Sequence, residues 1–429
     1  LLDTTSKVKD MKANGLDLHV IETKQYKTNT IVLHIKAPLT KETVTKRTLL
    51  PYVLQSGTEN FSSRQEIRSN LDEIYGATLT ADVSKKGENH ILSFRMDVVN
   101  ENYLKDKTPL LEEALKLLAE ILLKPVKESG VFQSTIVANE KRNLKQRIQS
   151  IFDDKIRYAN MRVTEEMCKE EPYGINVWGY EDEIDDVNPE DLYHQYTSML
   201  SNDGFDLYVV GDVKSENIQE LVSKYFTFTN NGKQGQNKVA NSKKEIEKEH
   251  VVIEEQDVKQ GKLHIGFRTN TTYQDDDYFA MQMFNGLFGG FSHSKLFINV
   301  REKASLAYYA SSRFESHKGI LMVMSGIEFK NYDQAVTIIK EQLKSMQSGD
   351  FTDEEIKQTK AVIKNQLLET VDVAKGFVEL LYHNAVGAKS RTIDEWLNGI
   401  ENVTRDDIIN VGKKIQLDTI YFLKGKGAS

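Results

Sequence analysis

The sequence predicts an α+β fold of two duplicated domains, each a mainly antiparallel sheet covered by helices, and three observations carry that reading. The chain has 429 residues, more than the roughly 250–300 at which a single hydrophobic core stops growing. Residues 230–248 are a run of Asn, Gly, Gln, Lys and Glu in which Val239, Ala240 and Ile246 alone could join a core, so they read as a polar linker. The same order of elements recurs on either side of it. The expected domains are therefore 1–229 and 249–429, joined by 230–248.

Each half begins with strand-like apolar runs, at 16–21 and 31–35 in the first and at 251–254 and 262–267 in the second. A helical segment follows at 64–74, then a small-residue break at Gly76-Ala77, strands at 79–83 and 90–96, and an amphipathic helix at 110–123. The second half matches these with 295–302, Ser305-Leu306, 307–311, 320–324 and 332–346. The offset is roughly 220–230 residues, as duplication of an ordinary domain gives. A further helix closes each unit, around 134–148 in the first and after Thr352 in the second, where Glu355 three residues on completes a capping-box pattern. Hairpin-like strand pairs among amphipathic helices favour α+β over a doubly wound sheet.

With 39% hydrophobic and 28% charged residues the chain has the balance of a globular protein able to bury a core. A net charge of -8 leaves no cationic excess to neutralise phosphates, so nucleic acid is not an expected partner. No apolar run approaches the roughly 20 residues of a spanning helix, and no membrane partner is expected. The single cysteine, Cys168, cannot form an internal disulfide, which suits a cytoplasmic location.

A zinc hydrolase needs closely spaced His or carboxylate ligands, usually with a helical-turn pair such as His-x-x-x-His. The nine histidines, at 19, 34, 90, 194, 250, 264, 293, 317 and 383, include no two that are four residues apart. Glu165, Glu166, Cys168, Glu170 and Glu171 could be imagined as a metal site, but such a cluster is more often a solvated helix face. Gly286-Leu287-Phe288-Gly289-Gly290 lacks the Lys-Ser/Thr ending of a phosphate loop. Cys168 has no paired histidine with a sequence signature and reads as a small buried hydrophobe. From its residues alone, the chain has no self-contained active site.

The segment Asn285-Gly286-Leu287-Phe288-Gly289-Gly290-Phe291-Ser292-His293-Ser294-Lys295-Leu296-Phe297, running into Val300-Arg301-Glu302-Lys303-Ala304-Ser305-Leu306-Ala307-Tyr308, resembles the second domain of the pitrilysin/insulinase superfamily. Glu171-Pro172-Tyr173-Gly174, Leu207-Tyr208-Val209-Val210-Gly211-Asp212-Val213 and Lys224-Tyr225-Phe226 resemble the end of that family's first domain. The resemblance covers essentially the whole chain and matches the shorter, mitochondrial-processing-peptidase-like members. It implies a half-clamshell arrangement of the two domains. Active members carry His-x-x-Glu-His on a helix about ten residues before a Gly-Thr, with a later Glu completing the zinc site. Anchored on Gly57-Thr58, the positions facing the two histidines and the glutamate are Thr48, Tyr52 and Pro51, and the third ligand falls near Gln146 or Arg147. None is a credible zinc ligand.

What the resemblance leaves in place is Arg301 and Tyr308, the pair that in active relatives faces the zinc from the other domain and holds the substrate backbone and oxyanion. It therefore implies a substrate-binding subunit, inactive alone, of a heterodimeric zinc peptidase. A homologous partner bearing His-x-x-Glu-His would hold the Zn, this chain would hold no cofactor, and a peptide would be the substrate. The alternative expectation is a non-catalytic peptide-binding or scaffold protein of the same fold.

Overall fold

The computed structural model describes residues 8–105, 107–227 and 244–427. The chain forms two compact units. Unit 1 comprises Leu1–Gln149, Asn176–Lys238 and Val371–Tyr382, and unit 2 comprises Ser150–Ile175, Val239–Thr370 and His383–Ser429. Most of the expected linker, 230–243, lies outside the described residues.

The strands of unit 1 are β1 (Val8–Ala13), β2 (Leu16–Glu22), β3 (Thr28–Pro38), β4 (Thr78–Lys86), β5 (Asn89–Val99), the short hairpin β6 (Lys127–Glu128) and β7 (Val131–Phe132), and β8 (Gly204–Gly211). Those of unit 2 are β9 (His250–Gln256), β10 (Gly261–Arg268), β11 (Ala307–Glu315), β12 (Ile320–Ile327) and β13 (Gln416–Gly425). The main sheets run β1-β2-β8-β3-β5-β4 and β11-β12-β10-β13-β9. Read from β9, the second order repeats β2-β8-β3-β5-β4 strand for strand. The pairing directions repeat too. β2 lies parallel to β8 as β9 does to β13, while β3 and β10 are antiparallel to both neighbours. The expected α+β fold of two duplicated, mainly antiparallel sheets covered by helices is what the chain adopts.

The central strands β3, β8 and β10 are buried along nearly their whole length because both of their faces are covered. The helix Leu110–Leu123 buries Leu111, Leu115, Leu118 and Leu122 against one face of the first sheet. In unit 2, Tyr278–Asn285, Tyr332–Ser348 and Arg405–Gly412 do the same through Phe284, Ile339 and Ile408. The expected cap at Thr352 forms, with the Thr352 hydroxyl accepting from the Glu355 amide at 3.1 Å and the Glu355 carboxylate accepting from the Thr352 amide at 2.6 Å.

The second face of each sheet is covered by a segment from elsewhere in the sequence. In unit 2, residues 150–175 bring Tyr158, Val163, Met167 and Tyr173 onto Ile320, Met322, Tyr421 and Leu423. In unit 1, residues 371–382 bring the Tyr382 ring into a 4.0 Å stack on His34, and Tyr26 donates to the Val371 carbonyl at 2.5 Å.

Buried charges fasten these layers. Arg268, 1% exposed, donates to Glu171 at 2.6 Å, Asp418 at 2.8 Å and the Met167 carbonyl at 2.8 Å, and Lys318 adds a second cation to Glu171 at 2.6 Å. Burial disfavours a charged Glu171, but the two cations hold its carboxyl down at about 2. The solvated acidic face expected at Glu165–Glu171 is therefore corrected: Arg162 bridges Glu165 and Glu166, and Glu171 neutralises a cation buried under the sheet. In unit 1, Arg47 pairs with Asp203, both almost fully buried. His19 lies between Asp10 at 2.7 Å and Asp206 at 3.2 Å.

These charges make two expectations testable. Arg268→Ala leaves Glu171 and Asp418 short of a counter-charge and should cost about 3–5 kcal/mol in urea unfolding. Stability should also peak near neutral pH. Burial opposes charge on His19, yet its two carboxylates raise it from 6.5 to about 9, so its contribution is full below pH 6.5 and lost as pH rises through 9. Burial pushes His34 down to about 4, and His90 and His264 to about 3. Unfolding then takes up protons below pH 6.5, and stability is lost as pH falls toward 4 and 3. Urea midpoints across this range should trace the dome, and His19→Gln should flatten its alkaline limb.

Candidate functional site

The positions that the resemblance matches to zinc-facing residues of active members lie in unit 1. Thr48, Pro51 and Tyr52 sit on the helix Lys41–Leu54, and Gln146 and Arg147 on Ser134–Asp153. Thr48 is fully buried and spends its hydroxyl on the carbonyls of Val44 at 2.8 Å and Val177 at 3.0 Å. Pro51 is inside the helix, where it supplies no N–H and its carbonyl accepts from Gln55 at 3.3 Å. The Tyr52 phenol accepts from Arg147 at 2.9 Å, and the guanidinium carbon lies 4.2 Å from the centre of the Tyr52 ring. Burial pushes the Tyr52 hydroxyl up to about 12 against the pull of Arg147, so it stays a neutral phenol beside a permanent cation. Gln146 points to solvent. Among the described residues no three His, Cys, Asp or Glu side chains gather as a metal site.

Arg301 and Tyr308 lie in unit 2. The glycine-rich run 286–290 is a wide, π-helical continuation of Tyr278–Asn285. Its glycines serve close packing, since a Cβ on Gly289 would come within 2.6 Å of the Ser312 hydroxyl and 2.7 Å of Leu296. The helix expected at 295–302 forms, and it winds as a π-helix over Phe297–Lys303. Such windings are rare and recur at functional sites. Leu296 and Val300 are buried, which leaves Arg301 on the exposed side with its guanidinium 4.5 Å above the Phe297 ring. After the helix, Ser305 takes a positive φ of 50° and the chain enters β11.

β11 is the outer strand of its sheet, and its pairing with β12 skips a residue between Ala307 and Tyr309. Tyr308 is that residue. A bulge of this kind re-aims a side chain, and Tyr308 stands 63% exposed beside Tyr309, whose ring packs within the unit. Both phenol and guanidinium are thus presented as hydrogen-bond donors on one unit. The sequence flagged both residues through the motif around them, but nothing in it announced the bulge or the π winding. The Glu171-Pro172-Tyr173-Gly174 motif is explained by packing: Glu171 serves the buried cations, and a Cβ on Gly174 would meet the Cys168 carbonyl at 2.3 Å. Cys168 is buried, with the Arg268 guanidinium 3.7 Å from its sulfur. No helix among the described residues is long and apolar enough to cross a membrane.

Fold and site together define a metallopeptidase homologue whose zinc-ligand positions hold other chemistry. Residues 186–363 match the family model described as the peptidase M16 inactive domain. The chain is 55% identical over 419 residues to a probable inactive metalloprotease, YmfF, of Bacillus subtilis, covering 97% of this chain and 98% of that one. A solved structure of a conserved Enterococcus faecalis protein superposes with a TM-score of 0.90 at 35% identity, covering 97% and 98% of the two chains. A protease from Helicobacter pylori shares the fold, at a TM-score of 0.80 and 17% identity over 98% of this chain and 100% of that one. The chain belongs to the M16, or pitrilysin/insulinase, peptidase family, among its members that lack the zinc-binding motif.

Arg147 predicts how this unit meets metal. The purified chain dialysed against zinc should retain none above background by plasma mass spectrometry, and Arg147→Glu alone should not change that, because Thr48 and Tyr52 remain non-ligands.

Proposed function

We propose that this chain is the substrate-binding subunit of a two-chain zinc peptidase, inactive alone, which lends Arg301 and Tyr308 to a site whose metal is held by a homologous subunit bearing His-x-x-Glu-His. The observation that carries the reading is the exposure of Tyr308 at a bulge in an outer strand. A residue kept for packing would turn inward there. A phenol and a guanidinium are donors suited to a peptide carbonyl that gains negative charge during hydrolysis. The outer edge of β11 offers backbone groups to an extended peptide, which would add to the sheet as a strand. Zinc belongs to the partner in this scheme, and both chains act in the cytoplasm.

The second reading is a non-catalytic peptide-binding or scaffold protein. The packing of Arg147 on Tyr52 favours it, because the old metal position has become part of the folded structure rather than an open pocket.

One experiment separates the two. The tagged chain is recovered from its host with whatever accompanies it, and the complex is assayed for zinc and for cleavage of a peptide library. The expected result is a His-x-x-Glu-His partner and cleavage that falls about 10²–10³-fold on Arg301→Ala or Tyr308→Phe, with the zinc content unchanged. A chain that comes out alone and inert, or cleavage indifferent to both substitutions, supports the scaffold reading instead.

A further inference from the structure

The internal duplication exposes a difference between the two sheets. In unit 1, β2 pairs in parallel with β8 on one side and is covered on the other by β1, antiparallel from Val8↔Ile21 to Ala13↔Leu16. The helix Ser215–Tyr225 packs over β1 and β2. In unit 2, β9 holds the place of β2, parallel to β13, and ends the sheet. Among the described residues no strand pairs with its second edge.

Edge strands are normally protected by charge, proline or a bulge, because an unpaired row of N–H and C=O groups invites another strand. β9 instead presents Val251, Val252 and Ile253 in succession. Val251 is 45% and Ile253 54% exposed, although their neighbours in register, Ile420 and Phe422, are buried core residues.

We propose that this edge is a homodimer interface, in which β9 of a second copy of this chain pairs antiparallel with β9 about a twofold axis through Val252. Closed twofold pairing is the commonest way in which identical chains associate. In this register the side chains complement one another. Val251 of each copy lies opposite Ile253 of the other, Val252 opposite Val252, and His250 opposite Glu254. The Glu254 carboxylate is already fixed by Tyr158 at 2.5 Å and Tyr421 at 2.8 Å. Glu249 falls opposite Glu255, but each carries its own lysine, Lys340 at 2.8 Å and Lys424 at 3.2 Å. Centring the pair on Ile253 would instead set Val251 against Glu255 and His250 against Gln256, losing both the apolar and the polar match. The twofold joins the five-stranded sheets edge to edge and leaves β11, with Tyr308, at each outer end. It is therefore independent of the peptidase reading.

The whole purified chain is examined by sedimentation equilibrium. The expected result is a reversible dimer, with Ile253→Lys raising its dissociation constant at least ~tenfold. The unfolding midpoint of the monomer should not move, because Ile253 is exposed there. Under mild oxidation Val252→Cys should form an interchain disulfide, while His250→Cys, four residues out of register with its own copy, should not. A wild-type chain that stays monomeric at every concentration overturns the proposal. So does a dimer indifferent to Ile253→Lys, or one that crosslinks equally through both cysteines.

Discussion

The constraint on which the rest of the structure depends is the need to bury both faces of each sheet, and in unit 2 it is met around one arginine. Arg268 ends the central strand β10 beneath residues 150–175, where it could not remain charged without Glu171 and Asp418. The network fixes the returning segment in register, because carboxylates and guanidinium must meet in particular geometry while apolar contacts would tolerate a slide. With that face closed, β10, β12 and β13 are packed in the sheet and the outer strand β11, paired with β12, presents Tyr308 at its bulge. Unit 1 solves the same problem with Tyr382 stacked on His34 and Glu379 paired with Lys86 at 3.1 Å.

The fold stands in this chain without a zinc-binding motif. The helix Lys41–Leu54 still buries Leu49, Leu50, Val53 and Leu54 in the core of unit 1. Thr48, Pro51 and Tyr52, which the resemblance matches to metal-facing positions, are part of the packing. Thr48 ties the helix to the Val177 carbonyl, and Tyr52 receives a guanidinium whose permanent charge repels any cation brought to the same place. The exposed Arg301 and the bulged Tyr308 do nothing comparable for the fold, since one lies over a neighbouring ring on its own helix and the other leaves the sheet. That asymmetry between the two halves gives the peptide-binding reading its weight.

Much of this could be read from the residues. The helix at 110–123 and the strands at 79–83 and 90–96 carry periodicities strong enough to survive any tertiary context, and Thr352 with Glu355 forms the cap that its spacing announced. The acidic run at 165–171 could not be resolved in the same way. Whether Glu171 faces water or a buried cation depends on Arg268 and Lys318, which lie far away in the chain.

By itself, then, the sequence determined the order of the elements, their duplication and the absence of a zinc-binding motif, because periodicity, capping and ligand spacing are local properties. Only the tertiary structure decided that residues 150–175 serve the second sheet and 371–382 the first. It alone decided that Arg147 lies on Tyr52, that Tyr308 sits in a bulge, and that, among the described residues, β9 ends its sheet with no strand on its second edge while β2 does not. Each of these is fixed by pairings between residues distant in the chain, set by which faces and edges remain to be covered after the local elements have formed.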